Sequence, residues 1–111
     1  MIRVDFDDDD LQYKSIDAGG GNMYDYRGLP FTGTIVEFHN NGNLIGETEC
    51  KNGYTNGWQR LYYSTGQIER EYYVECNRNY KSYKCWDEVG KLQMHIEYDE
   101  NGNEISKLIY R

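Results

Sequence analysis

The sequence predicts an all-β protein, an antiparallel meander of stacked β-hairpin repeats forming a single twisted sheet. Three observations predict it. Glycines recur at 24-residue spacing, at Gly33 and Gly57 and again at Gly42, Gly66 and Gly90. Between them the side chains match by type in the same register: Phe38, Tyr62 and Trp86; Leu44, Ile68 and Leu92; Glu47, Glu71 and His95. A fixed period of this length marks a repeat architecture, in which each unit buries its core only by stacking on its neighbours. Finally, no stretch carries a helical period, whereas Leu92, Met94, Ile96 and Tyr98 alternate with Gln93, His95 and Glu97, as a strand with one covered and one wet face requires.

The 111 residues make one domain, and a hydrophobic content of 38% is lean for a globular core. Twelve tyrosines supply large apolar rings with polar tips, which suits a thin layer better than a thick core. One Pro and 12 Gly argue against a Pro-rich disordered chain.

Residues 1–30 read as an acidic leader and N-terminal cap, residues 31–99 as the repeats, and residues 100–111 as a closing hairpin strand. In the leader, Ile2, Val4 and Phe6 alternate with Arg3 and Asp5, which predicts a short first strand. Asp7, Asp8, Asp9 and Asp10 end it by mutual repulsion, and Gly19-Gly20-Gly21-Asn22 reads as a loop or turn. From residue 31 each unit reads as strand, tight turn, strand, looser turn, about eight strands in all. The tight turns are Asn40-Asn41-Gly42-Asn43, Ser64-Thr65-Gly66-Gln67, Glu88-Val89-Gly90-Lys91 and Glu100-Asn101-Gly102-Asn103, where glycine supplies the positive φ that hairpins need. The looser turns are Lys51-Asn52-Gly53-Tyr54 and Glu75-Cys76-Asn77-Arg78, in which Asn77 replaces glycine as the next best left-handed residue. In the strand after Gly66, Ile68, Tyr72 and Val74 face in and Glu69, Glu71 and Tyr73 face out, with Arg70 breaking the apolar series. Lys81 holds the slot of Gly33 and Gly57. Ile105, Leu108, Ile109 and Tyr110 form the closing edge.

Charge narrows the choice of partner. The net charge is −7, and residues 1–25 carry seven acids against two bases while the rest carries 12 acids and 10 bases. An acidic chain avoids nucleic acid and anionic membrane and is drawn to basic protein surfaces. The basic stretch Arg78-Asn79-Tyr80-Lys81-Ser82-Tyr83-Lys84 reads as a solvated strand rather than a base-stacking platform. No run approaches a membrane span. The first residues lack an apolar stretch of signal-peptide length, and the odd set Cys50, Cys76 and Cys85 reads as free thiols, so a reducing cytoplasm is the expected compartment.

Catalytic and metal chemistry find little support. A calcium loop started at Asp5 would need glycine sixth and glutamate twelfth, where Asp10 and Ile16 stand. Cys50, Cys76, Cys85, His39 and His95 lack zinc-ligand spacing. No nucleophile elbow and no phosphate-cradling glycine loop is present. Glu47 and Glu71 share a face without a closed pocket around them. The expectation is therefore no enzyme, no cofactor and no metal. The exposed row is more informative. Glu47, Glu49, Glu69, Glu71, Tyr73 and Glu97 share the wet face, with Tyr63 and His95 beside them. Tyrosines among carboxylates on a rigid sheet make a protein-binding surface, the alternative being a face that is polar simply because one side of a meander must be. The candidate contact residues are these eight together with Asp7, Asp8, Asp9 and Asp10.

The repeat resembles the MORN-variant repeat family. Its pattern of an aromatic, three residues, glycine, one residue, an aliphatic, two residues and glutamate stands here as Phe38-His39-Asn40-Asn41-Gly42-Asn43-Leu44-Ile45-Gly46-Glu47, closing with Asn52-Gly53 and Gly57. It recurs from Tyr62 through Gly66 and Ile68 to Glu71, and from Trp86 through Gly90 to Leu92, where His95 replaces the glutamate. Leu29-Pro30-Phe31-Thr32-Gly33 resembles the family's lead-in to its first repeat. The resemblance covers about residues 26–105. It implies stacked antiparallel hairpins and, for bacterial members, an antitoxin or immunity protein that binds and neutralises a cognate toxin, here one with a basic surface. It carries no catalytic motif. A scaffolding module without a toxin partner is the alternative.

Overall fold

The computed structural model describes residues 2–16, 22–76 and 78–110. Eleven strands form one open sheet of mostly antiparallel order, with no helix among the described residues. They are β1 (Arg3–Asp5), β2 (Leu11–Ile16), β3 (Asn22–Tyr26), β4 (Leu29–Pro30), β5 (Gly33–Phe38), β6 (Leu44–Lys51), β7 (Tyr54–Tyr62), β8 (Ile68–Glu75), β9 (Arg78–Trp86), β10 (Leu92–Tyr98) and β11 (Glu104–Ile109). The main path runs β1-β5-β6-β7-β8-β9-β10-β11. The predicted meander is therefore present from β5 to β11. One pairing breaks its pattern, because β1 lies parallel to β5, with Val4 opposite Ile35.

The hairpin turns explain the 24-residue period. Gly42, Gly66, Gly90 and Gly102 each donate their N–H to the carbonyl three residues back, and each lies at φ between +79° and +95°. This is a three-residue loop with a left-handed bulge residue, the geometry glycine accepts without steric cost. One full repeat spans two strands and two turns, so residues 24 apart sit two strands apart on the same sheet edge. Successive turns on that edge touch: the Asn41 and Asn43 side-chain amides donate to the Ser64 carbonyl at 2.9 and 2.8 Å, and the Tyr63 hydroxyl donates to the Trp86 carbonyl at 2.8 Å. Gly102 belongs to the opposite edge, since it follows Gly90 by half a repeat.

Two expectations are corrected. The turn read as looser, Asn52-Gly53, is the tighter one. Both residues have positive φ, +52° and +89°, in a two-residue turn matched to strand twist. Arg27-Gly28 repeats it between β3 and β4, at +53° and +82°. The leader is also more than a cap with one strand. Three further strands, β2, β3 and β4, form a small sheet that joins the main one where Met23 pairs with Tyr54. The leader gave little strand signal because its alternation is short and its charge high. The predicted Gly19–Gly21 loop and the Asn77 turn position lie outside the described residues.

The core sits under this added layer. Val4, Phe31, Ile35 and Cys50 pack together, with Leu11, Tyr24 and Tyr26 against them. The Asn52-Gly53 turn is clamped to the same layer: Gly53 donates to the Phe31 carbonyl at 2.8 Å, its own carbonyl accepts from Tyr24 at 2.7 Å, and the Asn52 N–H donates to Thr32 Oγ1 at 2.9 Å. From β8 onward Ser82 alone is buried among the described residues. There the sheet is one layer of half-buried side chains, open on both faces.

Candidate functional site

Cross-strand register decides which side chains meet, because directly opposed residues share a face. Glu47 stands opposite Arg60, Arg60 opposite Glu71, Glu71 opposite Lys84 and Lys84 opposite His95. Five strands thus contribute one row, in which Arg60 and Lys84 interleave with Glu47 and Glu71 and His95 stands at the end. The contacts are close. Arg60 Nε donates to Glu71 Oε2 at 2.8 Å, and Arg3 Nη1 donates to Glu47 Oε2 at 3.1 Å. The Tyr62 hydroxyl donates to Glu47 Oε1 at 2.6 Å. His95 Nε2 lies 2.6 Å from Glu97 Oε1, too oblique for a hydrogen bond.

The electrostatics follow from those contacts. Burial works to raise the Glu47 pKa, but the Tyr62 and Arg3 hydrogen bonds and the nearby Arg60 charge outweigh it and hold it below the ordinary value. Burial first, and then the Glu47 hydrogen bond and charge, push the Tyr62 hydroxyl up to about 12. Burial alone pushes the Cys50 thiol up to about 12, so it is a thiol and not a nucleophilic thiolate near neutral pH.

The register sets Glu47, Glu49, Glu71, Tyr73, His95 and Glu97 on one face, but it does not keep the simple alternation: bulges at Glu69 and Gln93 turn Ile68 and Leu92, expected on the covered face, toward this one, opposite Tyr62 and Trp86. Its acids are interleaved with bases from the strands between them. Arg60 was hidden by a bulge: counting outward from the 63–67 turn sets Arg60 against Arg70, and only the register shift between Tyr62 and Leu61 brings it opposite Glu71. Glu49 has a backbone task. It accepts the Trp58 N–H at 2.5 Å in the notch that Gly57 leaves open. Asp7 to Asp10 lie apart from this face, in the β1–β2 connection. Asp5 accepts from the Asp7 N–H, Asp8 from the Asp10 N–H and the Tyr26 hydroxyl, and Asp10 pairs with Arg27 at 3.2 Å. Tyr63 braces the neighbouring turn, as described above.

The same face carries an aromatic row that the sequence did not reveal. Trp58 opposes Tyr73, and Tyr73 opposes Tyr80. The Trp58 and Tyr73 rings meet edge to face at 5.2 Å. Arg60 lies over Trp58 at 5.5 Å, and Lys81 lies over Tyr73 at 4.2 Å. Lys81 keeps the left-handed backbone of the glycine slot at φ +63°, a conformation that disfavours a side chain by about 1–2 kcal/mol. Its neighbours in the basic stretch scatter: Lys84 joins the charge ladder, while Tyr83 projects to the other face. Beside Lys81 an open groove of about 430 Å³ is bounded by Tyr73, Glu75, Tyr80, Lys81, Tyr98, Asp99 and Glu100.

The opposite face, beyond the leader layer, presents Leu61, Tyr72, Tyr83, Met94 and Ile109, with Arg70 standing between Leu61 and Cys85. Tyr72 and Tyr83 stack at 5.3 Å, and Arg70 lies 5.7 Å over Tyr83 with its buried Nε unpartnered. Among the described residues no three His, Cys, Asp or Glu side chains gather to hold a metal ion, and no helix is long and apolar enough to cross a membrane. Compared with known protein families, curated proteins and solved structures, the chain matches none.

Proposed function

We propose that this chain is an immunity protein or antitoxin that binds a partner toxin and covers its active or substrate site. The observation that carries the reading is the row of Trp58, Tyr73 and Tyr80 with its carboxylate-lined groove, set on a rigid hydrogen-bonded sheet. Tyrosine and tryptophan dominate the energetics of protein interfaces, and a scaffold that is already ordered loses little entropy on binding. The resemblance of the repeats to the MORN-variant family supports the class of partner, and the net charge of −7 supports a basic toxin surface. Capture of the product of the adjacent upstream gene, with rescue of growth when that gene is expressed, is the expected result. A gene product that neither co-purifies nor loses toxicity on co-expression overturns the reading.

The open edge favours a second reading, a scaffolding module that self-associates. All six residues of β11 are exposed, with Ile105 and Ile109 each 64% exposed. An edge strand with unpaired backbone groups recruits another strand. Sedimentation at high concentration decides it, since a strict monomer excludes the scaffold.

A further inference from the structure

The groove at the ends of β8, β9 and β10 is where the repeat changes its chemistry. One repeat earlier, the notch over Gly57 is filled by the Glu49 carboxylate, and a Cβ on Gly57 would come within 2.7 Å of Glu49 Oε1. Twenty-four residues on, Glu49 has become Tyr73 and Gly57 has become Lys81. The carboxylate is replaced by a ring, and the glycine by a residue that its backbone geometry disfavours. The Lys81 ammonium rests 4.2 Å above Tyr73 and 5.8 Å from Trp58, and it makes no ion pair among the described residues. The ring face therefore accepts a cation, and the cation already there is held by aromatic surface alone, an attraction weak enough to be exchanged. Two carboxylates border the groove and remain open to an incoming donor. Glu75 accepts the Tyr73 hydroxyl at 2.9 Å through one oxygen, and Glu100 is exposed. Asp99 is already committed to the N–H groups of Asn101 and Asn103.

We infer that this groove receives an arginine side chain of the protein partner. Its guanidinium stacks on Tyr73 in place of the Lys81 ammonium, and its edge N–H groups meet the carboxylates of Glu75 and Glu100. A guanidinium suits the site better than an ammonium because it is planar, less strongly hydrated and able to stack and hydrogen-bond at once. Lys81 is then an internal stand-in that keeps the aromatic face covered in the free protein. The inference rests on the proposed function only for the existence of a protein partner.

The test titrates a capped arginine–glycine peptide into the full chain, followed by amide chemical shifts and Trp58 fluorescence. The same peptide with citrulline for arginine, which keeps the planar shape and removes the charge, is the first control. A lysine version is the second. The arginine peptide shifts resonances of Tyr73, Tyr80 and Lys81, the lysine peptide binds more weakly, and the citrulline peptide leaves them unmoved. Lys81→Gln frees the ring and tightens arginine-peptide binding about threefold, whereas Lys91→Gln, the same charge change in a turn on the far sheet edge, leaves it unchanged. Tyr73→Leu and Glu100→Gln each weaken it by about threefold or more. Should Tyr73→Leu disturb the fold, the Lys81 and Glu100 variants carry the test. Equal binding of the citrulline peptide, or equal tightening by Lys81→Gln and Lys91→Gln, overturns the inference. Capture of a toxin that Tyr73→Leu and Glu100→Gln leave untouched also overturns it while sparing the proposed function. Arginine-selective binding with no toxin partner does the reverse.

Discussion

The Tyr62–Glu47 hydrogen bond ties together two residues of adjacent strands, and both titrate away from their ordinary values. It needs a protonated phenol and an ionised carboxylate. Tyr62, raised from 10.0 to about 12 in the folded chain, contributes stability that is complete below about pH 10 and is lost as pH climbs through about 12. Glu47 is depressed, so its contribution is present above the unfolded carboxylate range and is lost as pH falls through its lower folded value. Tyr62→Phe should therefore cost about 1 kcal/mol near neutral pH and flatten the alkaline loss of stability between about pH 10 and 12. Urea unfolding at a series of pH values measures this, and wild type and variant falling in parallel above pH 10 would count against it. The acids of this site were legible in the sequence because Glu47 and Glu71 recur at the repeat spacing. Their neutralisation was not, because Arg60 and Lys84 come from the intervening strands and join the row only through register. The aromatic platform was hidden for a related reason. Trp58 and Tyr73 occupy different positions within the repeat, and only pairing across the sheet brings them together.

At the level of the element, the turns were the best-read feature and the source of the clearest miss. Glycine located every hairpin of the meander that ends in Gly42, Gly66, Gly90 or Gly102, since positive φ is a local requirement that leaves a local mark. Glycine alone does not set loop length: Asn52-Gly53 closes a two-residue loop because both residues take positive φ, whereas in the Gly42-type turns the glycine alone does, and this tight turn docks on the leader. That docking gives a controlled comparison. Gly42 and Gly53 share φ +89°. A Cβ on Gly42 meets nothing within 4 Å, whereas one on Gly53 comes within 3.1 Å of the Tyr24 carbonyl oxygen. Gly42→Ala should cost only the left-handed penalty, about 1 kcal/mol. Gly53→Ala should cost about 2–3 kcal/mol, because the leader must also move. Denaturant midpoints with unchanged slopes are the measurement, and equal losses would mean that the leader does not clamp this turn. Gly33→Ala should be worse still, since its Cβ would lie 2.5 Å from the Ile2 carbonyl oxygen, and β1 would have to detach from β5 to admit it.

Across the whole molecule the two ends of the sheet are built differently, and stability should follow. Around β1, β5 and β6 the leader strands add a second layer, and Val4, Phe31, Ile35 and Cys50 are between 2% and 5% exposed. Toward β11 the sheet is a single layer whose last strand is exposed throughout. The repeat pattern made the sheet legible but gave no warning of this gradient, because the second layer comes from the leader strands, which lie outside the repeat. Stacked repeats distribute stability through nearest-neighbour contacts, so an end without a partner layer opens first. Phe31→Ala should therefore unfold the chain globally, at a cost of about 3–5 kcal/mol, while Ile105→Ala, at 64% exposure, should cost under about 0.5 kcal/mol. Amide hydrogen exchange should run in the same order, slowest in β5, β6 and β7 and fastest in β11, with β10 and β9 between. Uniform protection across the sheet would sink the gradient. Slower exchange in β8, β9 and β10 when the toxin or the arginine peptide binds is the expected result if the groove of Tyr73, Glu75 and Glu100 is the contact surface, since contact there covers strands that are already paired.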